Sequence, residues 1–173
     1  MNILKLELTH FGKFHLKTIT FTSGLNIVYG KNEAGKSTIH AFVRSMLFGI
    51  PDTEEGNERY SHYLPWETPH DFCGRMWIKK DDKVYRIERN FLRPQPTVRV
   101  FDDETGESLQ PAKQHLRQIL SGLTETSYLN TICIEQLKSA TDPQLAKELE
   151  DMAVNASRSK NLNIDVKQAK QEL

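Results

Sequence analysis

Over the first ten residues, Leu4, Leu6 and Leu8 alternate with Lys5, Glu7 and Thr9. A period of two sends alternate side chains to opposite faces, so residues 2–9 are expected to form a half-buried strand. Phe11-Gly12-Lys13-Phe14 reads as a turn, and the alternation resumes from Leu16 to Phe21. Thr22-Ser23-Gly24 turns the chain again, into Leu25-Asn26-Ile27-Val28-Tyr29. That run is short, apolar and rich in β-formers, which predicts a buried strand. About three strands thus precede the first helix. From Thr38 to Phe48 the period changes. Ile39, Phe42, Val43, Met46 and Leu47 stand at i, i+3, i+4, i+7 and i+8, the stripe of a helix packed on one face. Gly49 and Pro51 are expected to end it.

Residues 51–71 show no such period. Pro51, Pro65 and Pro69 exclude a long helix or a central strand there. Within this stretch Arg59 to Trp66 is dense in aromatics, and two readings are open. The rings could fold back to stack on a base with Arg59 near phosphates, or they could pack the loop onto the core. Residues 72–80, 83–91 and 96–101 alternate again, with Met76, Ile78, Tyr85, Ile87, Val98 and Val100 on one face and a turn at Asp81-Asp82. This predicts a strand meander. Seven basic residues lie on it: Arg75, Lys79, Lys80, Lys83, Arg86, Arg89 and Arg93. They are either a basic face for a phosphate backbone or a solvated antiparallel face. Pro111 to Ser121 has helical spacing, Glu125 to Asn130 is ambiguous, and Thr131-Ile132-Cys133-Ile134 reads as a buried strand leading to Gln136. Gln144 to Ala156 reads as an amphipathic helix, and a further helical pattern from Ile164 is cut short at Leu173.

Composition narrows the class. A chain of 173 residues suffices for one core. Positive and negative side chains balance at zero net charge, so bulk charge selects no polyanionic partner. No apolar run is long enough to span a membrane, and the N-terminus has no signal-peptide pattern. Cys73 and Cys133 are isolated and lack metal-site spacing, which points to buried thiols in a reducing, cytoplasmic setting.

The chemistry sits between the third predicted strand and the first helix. Gly30-Lys31-Asn32-Glu33-Ala34-Gly35-Lys36-Ser37 is G-x-x-x-x-G-K-S, the phosphate-binding loop of nucleoside triphosphatases. Gly30 and Gly35 permit backbone conformations in which successive N–H groups point at phosphate oxygens. The following helix directs its free N–H groups and its positive dipole end at the same point. Lys36 is expected to reach the β- and γ-phosphates, and the Ser37 hydroxyl to ligate Mg²⁺.

Hydrolysis also needs a carboxylate on Mg²⁺ at the end of a buried strand. Val98 to Asp103 ends in two acids, but Arg99 interrupts the run a central parallel strand would show. Asp103-Glu104-Thr105-Gly106 matches D-x-x-G without a guanine-binding N-K-x-D after it, so Gly106 is expected in a turn. Leu120-Ser121-Gly122-Leu123 lacks the second glycine of an ABC signature and precedes Gln136, the wrong order for that family.

The chain resembles the N-terminal half of an SMC- or SbcC-type ABC ATPase head, and most closely the YhaN-like ATPases. The likeness is carried by Phe11 to Phe14, Gly24 to Thr38, Met46 to Gly49, Tyr85 to Phe91 and Tyr128 to Gln136. It implies an α/β P-loop NTPase fold: the ABC-type N-terminal lobe, with an antiparallel β meander beside the nucleotide-binding core. Residues 1–163 would form that lobe, and 164–173 the start of a truncated coiled-coil helix. The resemblance implies ATP and Mg²⁺ as ligands. It places Lys13, Asn32, Glu33, Ala34 and Thr38 with the loop residues at the nucleotide, and Gln136 at Mg²⁺ and the attacking water. Lys36 and Gln136 would then be the catalytic pair contributed by this lobe. The Mg²⁺ aspartate, catalytic glutamate and signature would come from a C-terminal lobe beyond a coiled coil. Expected partners are that lobe, a second head in a homodimer, DNA and a metallophosphoesterase nuclease, in double-strand break repair. Two alternatives from other classes stand beside this reading. One is a self-contained P-loop phosphotransferase; the other is a non-catalytic nucleic-acid-binding module using the basic meander.

Overall fold

The computed structural model describes residues 1–133. They fall in two compact units, Met1–Gly122 and a second one beginning at Leu123. In the first, strands β1 (Asn2–Phe11), β2 (Phe14–Thr20), β3 (Cys73–Lys80), β4 (Lys83–Asn90) and β5 (Thr97–Asp102) form one antiparallel sheet in the order β2-β1-β3-β4-β5. Between β2 and β3 the chain forms helices α1 (Lys36–Phe48) and α2 (Glu54–Tyr63). After β5 comes α3 (Ala112–Ile119).

Alternation decides which face of the sheet is buried. Leu6 and Leu8 of β1, Met76 and Ile78 of β3, Ile87 of β4 and Val100 of β5 are completely buried, and Leu6↔Met76↔Ile87↔Val100 run side by side across four strands. Phe42, Met46 and Leu47 of α1 are buried with them, and α1 packs on β1, β3 and β4. Phe11, Phe72 and Phe91 close one end of this core, with ring centroids 5.1 to 5.6 Å apart. Burying a large apolar side chain contributes about 1.5–3 kcal/mol, so this layer of helix on sheet is the main source of stability.

The meander follows the predicted pattern almost residue for residue. Lys80 pairs with Lys83, so Asp81 and Asp82 form a two-residue hairpin with φ of 49° and 63°. Aspartate tolerates this left-handed region better than most residues, and such turns match the strand twist. The basic residues, by contrast, do not form one face. Arg75 and Arg86 lie on the outer face with Arg99, and all three reach the half-buried carboxylate of Glu88 at 3.1 to 3.3 Å. Lys80 donates to the Gln118 carbonyl and to Ser121 Oγ. Arg93 donates to Asn57 Oδ1 and to the Pro51 carbonyl, with its guanidinium 4.6 Å from the Tyr60 ring centroid. Arg89 passes under the end of α1, where Nε donates to the Met46 carbonyl at 2.7 Å and a terminal nitrogen to Leu47 at 3.2 Å. Burial lowers its pKa to about 10. A half-buried cation there neutralises the negative end of the helix and satisfies carbonyls that lack an intrahelical partner.

Three expectations are corrected. Residues 25–29 form no strand: they have no ladder partner among the described residues. Leu25 and Tyr29 are 88% and 90% exposed, and Ile27 is exposed too. An isolated apolar segment has neither backbone partners nor a facing surface, so local β propensity cannot make it a strand. Residues 54–63 form a helix where irregular chain was expected. Thr53 caps it by accepting from the Gly56 N–H, and Glu54 and Glu55 suit the positive end of its dipole. In the second unit, α4 (Glu125–Ser127) runs into a π-helical turn over Tyr128–Ile132, so residues 131 and 132 are not strand. Asn130 and Thr131 side chains donate back to the Thr126 and Ser127 carbonyls, and the Cys133 N–H reaches Tyr128 five residues back.

Candidate nucleotide-binding site

The phosphate-loop sequence folds as an open loop feeding directly into α1. Ala34 N–H donates to the Lys31 carbonyl at 3.1 Å, which closes a tight turn over Asn32 and Glu33. Glu33 takes φ 64° and Gly35, at the helix N-cap, φ 98° and ψ 17°. No side chain caps α1, and its first turn has no acidic residue. The positive end of a 13-residue helix is therefore left without a built-in anion.

Lys36 folds back over the loop. Its ammonium donates to the Gly30 carbonyl at 2.7 Å and to the Lys31 carbonyl at 2.9 Å. Loop, helix end and ammonium thus converge on one small region. Ser37 is exposed on the first turn of α1, and Thr38 beside it is partly buried.

A second layer comes from the β1–β2 turn. Lys13 Nζ donates to the Glu33 carbonyl. The Phe14 ring lies against Gly35 so closely that a Cβ there would collide with it, and Lys13 Cε is 3.4 Å from the same point. Gly35 therefore answers two demands, a positive φ and the close approach of an aromatic ring. Gly12 is similarly constrained. A Cβ on it would lie 3.0 Å from Thr38 Cγ2 and 3.3 Å from Tyr63 Cδ1. Its N–H donates to the Tyr63 carbonyl at 2.7 Å, and the Tyr63 ring stacks on Phe11 with centroids 5.3 Å apart.

Of the residues the sequence singled out, the structure brings Lys13, Gly30, Asn32, Glu33, Ala34, Gly35, Lys36, Ser37 and Thr38 into one neighbourhood. Gln136 lies outside the described residues. Arg59 is not near the loop: it donates to the Gly49 carbonyl at 3.3 Å, at the opposite end of α1. A helix of that length spans about 20 Å. Tyr60 and Tyr63 pack on Phe72 and Phe11, so the aromatic stretch packs the core at these positions, while Trp66 is 91% exposed. Phe14 went unrecognised in the sequence as part of the loop's surroundings, whereas Tyr63 lies in the aromatic stretch whose sequence leaves either role open.

The carboxylates that could imitate a metal ligand have other partners. Asp102 Oδ1 accepts from the Glu104 and Thr105 N–H groups, which builds the turn containing Gly106. Asp103 Oδ1 accepts from Trp77 Nε1 at 3.0 Å and pairs with Arg86. Leu120-Ser121-Gly122 ends α3, with the Ser121 and Gly122 N–H groups returning to Gln118 and Arg117. Neither Cys73 nor Cys133 forms a disulfide among the described residues. A cavity of about 210 Å³ lies on the outer face of the sheet, between Thr9, Cys73, Arg75, Asn90 and Arg99, and includes no loop residue.

A family model described as AAA domain matches residues 1–153. The chain belongs to the AAA domain family. Two curated relatives are similar to parts of this AAA domain. The protein YhaN of Bacillus subtilis is 43% identical over 56 residues, covering 32% of this chain and 6% of YhaN. A DNA double-strand break repair Rad50 ATPase of Thermococcus kodakarensis is 26% identical over 146 residues, covering 79% of this chain and 15% of that protein. The AAA domain thus spans a small fraction of the length of either relative. Family, loop sequence and mixed α/β fold agree on a P-loop ATPase domain. Among the described residues, no helix is long and apolar enough to cross a membrane.

Proposed function

We propose that this chain is the ATP-binding lobe of an SMC-like ATPase head, acting in DNA repair or recombination. The observation that carries the reading is the convergence of the Gly30–Ser37 backbone, the uncapped start of α1 and the Lys36 ammonium on one small region. Gly35 supports it further, since the loop has no side chain where phosphate oxygens would meet backbone N–H groups. In this reading Lys36 exchanges two carbonyls for β- and γ-phosphate oxygens. Lys13 exchanges the Glu33 carbonyl for phosphate, and Gly30 to Thr38 supply the cradle. Mg²⁺, when bound, would neutralise phosphate charge; in this reading Ser37 would hold it through its hydroxyl, and Gln136 is the proposed partner on the water side.

Two features favour a site completed elsewhere. The Asp102 and Asp103 carboxylates are engaged in a turn and with Trp77 and Arg86. The exposed run of Leu25, Ile27 and Tyr29 leads into the loop like a strand in want of neighbours. A C-terminal lobe would supply those neighbours together with the metal aspartate, the catalytic glutamate and the signature motif. A second head would then face the nucleotide. From the resemblance to SMC- and SbcC-type heads, DNA and a metallophosphoesterase nuclease are the proposed partners of the assembled protein.

The test is calorimetric titration of the chain with ATP and Mg²⁺, alongside Lys36→Ala. Binding that Lys36→Ala weakens, with little turnover, is the expected result. Robust hydrolysis by these residues alone, abolished by Lys36→Ala, would sink the split-site reading and favour a self-contained phosphotransferase. A second reading rests on Arg75, Arg86 and Arg99 beside Trp77 and Phe101 on the outer sheet face. In it, nucleic acid binds there without nucleotide, and log affinity falls with log salt at a slope of about −0.9 per neutralised duplex phosphate.

A further inference from the structure

His10 and His15 face each other across the β1–β2 hairpin, one pair outside the Phe11↔Phe14 pair that closes the turn. Their ring centroids are 4.6 Å apart, with 51° between the ring planes. His15 is exposed on the edge strand. His10 is half-buried, and its Nδ1 is buried with no hydrogen-bond partner among the described residues. A register irregularity between Glu7 and His10 sets the local aim of His10 against β3, as bulges commonly do. Neither histidine belongs to the phosphate loop.

Ring packing alone would leave the buried His10 nitrogen unmatched, whereas a cation shared with His15 would give it a partner. Two nitrogen ligands on one ion each sit about 2.0–2.1 Å from it, which requires imidazoles a few ångströms apart and not stacked face to face. The separation and tilt of His10 and His15 meet that requirement. Imidazole donors select copper, nickel and zinc over Mg²⁺ and Ca²⁺, which prefer oxygen. Among the described residues no group of three or more His, Cys, Asp and Glu is placed to hold a metal. The protein would thus contribute two ligands, with water completing the shell.

We propose that His10 and His15 form a two-histidine site for a divalent transition-metal ion of the Cu²⁺, Ni²⁺ or Zn²⁺ type. The ion clamps edge strand β2 to β1 at the base of the turn that holds Lys13 against Glu33. The proposal is independent of the ATP-binding reading.

The experiment titrates the metal-free chain with Cu²⁺ alone by calorimetry, with electron paramagnetic resonance to identify the bound donors. One Cu²⁺ per chain with two imidazole nitrogens is expected. His15→Ala, on the exposed edge, should weaken binding by roughly tenfold or more, since imidazole dominates affinity at such a site. His10→Asn should do the same, and His70→Ala should have no effect. No binding by the native chain, or equal binding by the native chain and His15→Ala, overturns the proposal. The second outcome would assign the metal to other surface histidines. Binding of ATP and Mg²⁺ to His15→Ala provides the separate check that the phosphate loop is intact.

Discussion

The Phe14 ring covers Gly35, and the glycine's φ of 98° is what lets the loop pass beneath it. Gly35→Ala would add both a left-handed alanine and a collision with the ring. The expected loss is about 1–3 kcal/mol of stability together with loss of nucleotide binding. Denaturant unfolding and ATP titration measure the two effects. Adding Phe14→Ala should relieve the collision but not the backbone strain, so the double variant should recover only part of the stability.

Lys13 reaches the loop through a backbone carbonyl, so its removal should separate stability from binding. Lys13→Ala is expected to change stability by less than about 1 kcal/mol, because a typical hydrogen bond contributes little net and this one is exposed. ATP affinity should fall several-fold. Unchanged affinity would confine Lys13 to shaping the turn.

Arg89 joins β4 to the last turn of α1. Arg89→Met should destabilise by about 1–3 kcal/mol, since the Met46 and Leu47 carbonyls lose their donors. Arg89→Lys should recover less than Met→Arg reversion does, because a single ammonium cannot reproduce the forked geometry. Thermal unfolding of the three chains tests this order.

Cys73 has its pKa raised, first by burial and then by the Asp71 carboxylate. The neutral thiol is favoured in the fold. Cys73 should therefore alkylate more slowly than the same thiol in urea near pH 8, where the unfolded chain contains more thiolate. By linkage, its contribution to stability is fully present below the unfolded pKa near 9 and is lost as pH rises through the higher folded value. A Cys73→Ser chain should lack that alkaline loss. Mass spectrometry of alkylation and unfolding between about pH 8 and 10 read out the two effects.

Glu88 gathers Arg75, Arg86 and Arg99 on the outer face. Glu88→Gln would leave three guanidiniums without their common carboxylate. A destabilisation of about 1–2 kcal/mol and tighter, more salt-sensitive binding to duplex DNA are expected. An unaltered salt slope would count against any phosphate contact on this face.

What the sequence revealed depended on how local each cause is. The meander and α1 were legible because a buried face imposes its period on every second or every third to fourth residue. The loop was legible because its glycines, lysine and serine act within eight consecutive positions. Helix α2 was missed because its sequence is almost wholly polar, although Thr53 with Glu54 and Glu55 carries a start signal. Residues 25–29 misled because apolar β-formers record a need for burial, not the presence of whatever buries them. Phe14 over Gly35, and Tyr63 receiving the Gly12 N–H, join segments far apart in sequence, so no spacing rule could reveal them. The seven basic residues looked like one surface because linear proximity does not say which side of a pleat each occupies.

The bare stretch from Leu25 to Tyr29 also bears on how the protein must be made. A nascent chain that has emerged only this far presents an extended greasy ribbon with nothing laid alongside it. Such ribbons recruit one another, and they are what holdase chaperones bind. Expression of these residues by themselves should therefore favour inclusion bodies, and soluble yield should rise when polar residues replace Leu25 and Ile27.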